Sequence, residues 1–205
     1  PMVISGCVGP RGDGYRPEIQ MTEQEAENYH AFQVECFRQS AADMVTATTM
    51  THSEEAIGIT RASQKAGMPV VISFTVETDG RLPTGQPVKE AIEQVDQATD
   101  TGPEYYMLNC AHSTHFESTL DTDESWLQRI RGFRSNASCL SHAELDEAEE
   151  LDDGDPVQFG QEHGVLMGRL GHVNVYGGCC GTDHRHIEEI CTAHIQRRGS
   201  HGKTA

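Results

Sequence analysis

Short apolar runs alternate along the chain with longer stretches in which apolar residues recur every three or four positions. The first run covers 3–8, and Met2-Val3-Ile4-Ser5-Gly6 reads as a buried strand that closes at Gly9-Pro10. A polar, glycine-rich loop over 11–20 leads to Thr22 with Glu25 three positions on, the signature of a capping box. The helix predicted over 23–40 places Ala26, Tyr29, Phe32, Val34, Cys36 and Phe37 mostly on one side. A second strand covers 43–48. Ser53 opens a helix with Ala56, Ile57 and Ile59 behind it, and Gly67 is its C-terminal cap. The third strand, 68–76, is the clearest, because β-branched and aromatic residues dominate it.

The second half continues the alternation. A turn-rich loop over 77–86 precedes a helix over 88–98, with Val88, Ala91, Ile92 and Val95 on one face. The fourth strand is 105–110, a short helix fits 126–130, and a fifth strand fits 132–137, where Phe133 is the only large apolar residue. The acidic stretch carrying Glu144, Asp146, Glu147, Glu149, Glu150, Asp152 and Asp153 reads as a solvated loop or helix edge. A helix over 156–170, a last strand over 173–176, a closing helix over 183–196 and a polar tail over 197–205 complete the chain. Six strand–helix units with short connections imply parallel strands and helical crossovers. Such strands fit a sheet covered on both faces or the wall of a (β/α)8 barrel of the TIM type, which takes about 250 residues. On the barrel reading this α/β domain occupies 1–196 as an incomplete barrel. The strand at the very start, behind Pro1, leads us to expect two further strands upstream.

Composition narrows the function. With 36% of its 205 residues hydrophobic the chain can build a core, and no run approaches the 18 apolar residues of a membrane span. A net charge of −17 repels phosphate backbones, so nucleic acid is not an expected partner. The unpaired strand edges of an incomplete barrel leave homo-oligomerisation open. Seven cysteines, an odd number without small-scaffold spacing, and no leader-like segment suggest free thiols in a reducing, cytoplasmic compartment.

The candidate chemistry follows the last strand, in Gly177-Gly178-Cys179-Cys180-Gly181-Thr182. Adjacent cysteines on a regular strand point to opposite faces, but flanking glycines permit a turn that aims both sulfurs at one point. Cys110 ends the fourth strand, and in parallel α/β architectures active sites assemble at that end. Cys110, Cys179 and Cys180 make a good zinc set with a fourth position open. The alternative is that the adjacent pair is a set of small buried hydrophobes or a strained disulfide. Cys7 reads as packing, Cys36 and Cys191 as structural, and Cys139 as the remaining loop cysteine. His112, His115, His184 and His186 are ligands by type but read as supporting or surface groups.

Leu108-Asn109-Cys110, Ser135-Asn136-Ala137-Ser138 and the Gly-Gly-Cys-Cys-Gly-Thr element resemble the strand-end motifs of the homocysteine S-methyltransferase family, which includes the betaine- and S-methylmethionine-dependent enzymes. Ser5-Gly6-Cys7-Val8-Gly9-Pro10 is similar to the end of that family's third barrel strand, and Ser73-Phe74-Thr75 to its fifth. The similarity runs from Met2 to Ala193. It implies a (β/α)8 barrel in which Cys110, Cys179 and Cys180 bind one zinc ion and the substrate thiol joins them. The expected activity is transfer of a methyl group from a small onium-type donor to homocysteine or a related thiol. A non-catalytic zinc- or thiol-binding module of a larger assembly is the alternative. Asn136 matches a pocket residue. Thr48 stands where the family carries a glutamate for the amino group, and Glu77 is the nearest carboxylate that could replace it.

Overall fold

The chain's structure, a computed structural model, describes residues 2–18 and 20–201, with side chains as far as Arg197. Strands β1 (Ser5–Val8), β2 (Met44–Met50), β3 (Val70–Phe74), β4 (Tyr105–Asn109), β5 (Ile130–Ser135) and β6 (Val175–Gly178) form one parallel sheet in that order. Between them run α1 (Glu23–Arg38), α2 (Ser53–Ala66), α3 (Val88–Thr99), the short α4 (Ser113–Phe116), a 3-10 turn (Ser125–Arg129), α5 (His142–Glu147) and α6 (Pro156–Arg169). Helix α7 (His184–His201) follows β6. Sequential neighbours joined by helical crossovers of one hand put the helices on one face, so the sheet curls as an incomplete (β/α) barrel.

The core lies between sheet and helices. Val8, Val45, Ala47, Ile72, Phe74, Leu108 and Phe133 are all at most 1% exposed, and alternate with residues on the concave face. Phe133 stacks on Phe116 with ring centroids 5.3 Å apart and meets the Tyr176 ring at 6.4 Å, so the weak fifth strand is anchored by aromatic contacts. Where α1 crosses α2, a β-carbon on Gly58 would come within 2.4 Å of Ala26 Cβ and 2.5 Å of the Glu27 backbone nitrogen. Gly58→Val should therefore force the helices apart and cost about 3 kcal/mol, read as a lowered urea midpoint. A loss under about 0.5 kcal/mol would show that the helices move apart freely.

Several sequence expectations need correction. Met2, Val3 and Ile4 are 84%, 64% and 46% exposed and precede the strand, which begins at Ser5. Thr22 and Glu25 form the expected capping box, yet Tyr29 and Phe32 face solvent while Glu27 and His30 are buried. His30 turns inward because its Nε2 meets the buried Glu55 carboxylate at 2.8 Å. The second strand runs to Met50, two residues past its predicted end, while α2 opens at Ser53 and is capped by Gly67 as expected. The turn over 125–129 is 3-10, the fifth strand sits two residues earlier than predicted, and the sixth is Val175–Gly178. Helix α7 continues through 197–201, where a tail was expected; residues 202–205 lie outside the described residues. Cys7 is exposed on the concave face instead of packed, and Cys36 and Cys191 are exposed on α1 and α7.

Candidate metal centre and thiol site

The C-terminal rims of β4 and β6 bring Cys110, Cys179 and Cys180 together. Cys110 Sγ lies 3.1 Å from Cys179 Sγ and 3.4 Å from Cys180 Sγ, and the three sulfurs all lie within 4.8 Å of one another. Local backbone makes this convergence. Cys110 has φ 57°, a left-handed conformation unusual for a residue with a side chain, directly after β4. After β6 a β-carbon on Gly178 would meet Thr182 Oγ1 at 2.1 Å, and Gly181 takes φ 77°. The turn between these glycines is tied to β5: Cys179 N–H donates to the Ser135 carbonyl (2.8 Å) and Cys180 N–H to Asn136 Oδ1 (3.2 Å).

Three thiols this close ionise unequally. Contacts with Cys110 and then Cys179 pull Cys180 down to about 2. Cys110 is pushed far above the usual thiol range, first by Cys179 and Cys180 and then by burial. One negative charge is readily held and further ones require a cation. Tetrahedral zinc at about 2.3 Å from each sulfur would separate them by about 3.8 Å, wider than the 3.1 and 3.4 Å found from Cys110 and within the 4.8 Å that bounds the cluster. An all-sulfur set also suits zinc over oxygen-seeking cations. Because its lowered pKa keeps Cys180 a thiolate at pH 6, iodoacetamide should label it about ten-fold faster than Cys36 or Cys191 in metal-free protein. One equivalent of zinc should suppress that labelling; peptide mass spectrometry reads both, and uniform labelling would contradict the shared charge.

Tyr15 is the residue that sequence reasoning missed. Its hydroxyl lies 3.0 Å from Cys110 Sγ and 3.5 Å from Cys180 Sγ, and its ring stacks on His142 with centroids 4.0 Å apart. Burial, then the contacts with the two sulfurs, raise its phenol well above the usual range, so it remains a donor toward sulfur. The loop that carries it is pinned by Arg11 N–H, which donates to Glu55 Oε1 (2.7 Å). A cavity of about 210 Å³ adjoins Tyr15 and Cys180 and is walled by Asp146, Leu151 and Asp152 of the acidic stretch.

The other candidates are spread around this centre. Asn136 is buried against the Cys180 amide. Glu77 meets His142 Nδ1 at 3.0 Å, while His142 Nε2 reaches the Cys110 carbonyl at 2.6 Å, so the ring bridges the carboxylate to the end of β4. Thr48 lies on the far side, its hydroxyl donating to the Val8 carbonyl (3.3 Å) and 3.3 Å from Cys7 Sγ. Cys139 is exposed and outside the sulfur cluster. His115 Nε2 meets the Cys139 carbonyl, His112 lies 3.4 Å from Glu162, His186 meets the Asp153 carbonyl, and His184 is exposed.

A curled parallel β/α sheet with three thiols gathered at its strand ends defines a barrel protein with a thiol-rich centre able to hold a metal. Residues 1–194 match the model of the homocysteine S-methyltransferase family, and the chain belongs to that family. Its fold is shared with the homocysteine methyltransferase MmuM from Escherichia coli. The apo form superposes with a TM-score of 0.66 at 15% identity, over 94% of this chain and 63% of that one. The metallated form gives 0.66 and 15%, over 96% and 61%. The chain thus spans about three-fifths of the length of these solved structures. A comparison with curated proteins returns no match.

Proposed function

We propose that this chain carries the thiol site of a zinc-dependent S-methyltransferase that moves a methyl group from a small onium donor to homocysteine or a related thiol. The convergence of Cys110, Cys179 and Cys180 at the strand ends carries this reading. Those three residues would hold zinc, which when bound lowers the pKa of a substrate thiol and keeps it nucleophilic. Tyr15 donates toward the Cys110 and Cys180 sulfurs. Asn136 fixes the Cys180 turn, and Glu77, through His142, orients the Cys110 carbonyl. The substrate sulfur attacks the donor's methyl carbon, the carbon–heteroatom bond breaks, and the donor leaves neutral with that electron pair, so no general acid is required. The Asp152 carboxylate beside Cys180, bonded only to the neutral Ser138 hydroxyl and Gly154 amide, suits a cationic donor. Seven free thiols fit a reducing, cytoplasmic setting, and no described helix is long and apolar enough to cross a membrane.

The test is direct. Chain loaded with one equivalent of zinc, given homocysteine and methyl-labelled betaine or S-methylmethionine, should form labelled methionine, and Cys179→Ala should abolish it. A zinc- and thiol-holding module without turnover is the second reading, favoured by a sheet whose edges β1 and β6 do not pair with each other. In that case X-ray absorption would show homocysteine adding a sulfur to zinc while neither donor yields product. Zinc with an unchanged sulfur count and no product would overturn both.

A further inference from the structure

The concave face of the sheet, beneath the thiols, carries an unpaired charge. By strand register it presents Cys7, Thr48, Ser73 and Asn109, then Arg134 on β5 and Gly177 on β6. Arg134 is exposed, and among the arginines with described side chains it alone makes no hydrogen bond, ion pair or ring contact. The others are engaged: Arg16 with Asp146, Arg61 with Glu23, Arg129 with Asp96, and Arg185 with Asp153. In a chain with 32 acidic residues a bare guanidinium is not explained by scarcity of partners. The register places no Asp or Glu on this face.

Two further features fit a site. A β-carbon on Gly177 would lie 3.4 Å from Arg134 Cγ, so the glycine gives the arginine stem room to lie across β6. The Arg134 carbonyl accepts the Cys110 amide at 3.1 Å, which sets the arginine directly beside the sulfur centre. Guanidinium presents paired donors that match the two oxygens of a carboxylate. The same face offers an ammonium group only neutral hydroxyls, Thr48 among them, and Glu77 is already engaged by His142.

Resting on the proposed thiol site, we propose that Arg134 determines acceptor specificity by pairing with a carboxylate, so that the site selects thiol carboxylates and does not require an amino group. A thiol bound at the sulfurs extends its acid group onto Arg134. Thiols lacking the acid leave the guanidinium unpaired and lose the contact.

Calorimetry on the zinc-loaded chain with three probes tests this: 4-mercaptobutyrate (acid only), homocysteine (acid and amine) and 3-mercaptopropylamine (amine only). The two acids should bind within about three-fold of each other and about 10–100-fold tighter than the amine, the scale of a charge-assisted contact. Arg134→Gln should erase that preference while zinc content stays unchanged, and Arg134→Lys should keep part of it. Equal affinity for all three probes, or an unchanged preference in Arg134→Gln, would overturn the role of Arg134 and leave the thiol site standing. Homocysteine binding ten-fold or more tighter than 4-mercaptobutyrate would overturn the claim that no amino group is required. Failure of every thiol to bind would overturn the thiol site together with this proposal.

Discussion

Cys110→Ala is expected to reduce bound zinc from about one ion per chain to a trace, measured by elemental analysis after dialysis against excess metal. The sulfurs of Cys179 and Cys180 each lie close to Cys110, which stands at the centre of the cluster at 3.1 and 3.4 Å. Removing it leaves two thiols on one short turn, with no third ligand from another strand. The loss should also appear in stability, because zinc binds the assembled site and not the unfolded chain. At a free concentration of 100 times Kd, zinc contributes about 2.7 kcal/mol, or about 5–10 °C in Tm for a chain of this size. That increment should be present in the wild type and absent in the variant. Cys139→Ala, outside the cluster, should change neither quantity. Equal zinc content in wild type and Cys110→Ala would end the three-thiol centre.

Asn109→Ala is expected to cost about 3 kcal/mol, although it removes few apolar atoms. Asn109 is 2% exposed; its Oδ1 accepts from Thr49 N–H (2.9 Å) and Ser73 Oγ (2.5 Å), and its Nδ2 donates to Thr49 Oγ1 (2.9 Å). Thr49 lies at the irregularity near the end of β2 with φ 61°, a costly conformation for a β-branched residue, and this side chain holds it there. Alanine would leave the Thr49 amide and the Ser73 hydroxyl without their partner, at about 1–3 kcal/mol for each group left buried. The double variant Asn109→Ala with Thr49→Gly should recover about 1 kcal/mol, because glycine takes positive φ without strain. Denaturant titration of the four proteins closes the cycle. A single-variant cost below about 1 kcal/mol, or no recovery with glycine, would show that Thr49 needs no support from β4.

Much of this architecture is legible in the chain itself. Apolar runs and helical periodicity locate all six strands and the long helices α1, α2, α3, α6 and α7, though not the short α4 and α5; Thr22 and Glu25 mark the start of α1, and Gly67 ends α2. These are local signals, decided by residues a few positions apart. The three cysteines are legible for a related reason: each stands at or just after a strand end, and parallel topology carries strand ends to one rim. What the sequence left undecided depends on surroundings. An apolar residue is buried only if something covers it, so Met2, Ile4, Tyr29 and Phe32 are exposed while polar His30 and Glu55 are enclosed. The last strand falls on Val175–Gly178 because pairing with β5 outweighs the low strand preference of its glycines. Tyr15 meets Cys110 across 95 residues of sequence, from a loop whose composition signals only a turn. Whether an arginine finds a carboxylate is likewise set by the whole surface, and Arg134 stands free because the sheet's curl faces it toward strands that carry none.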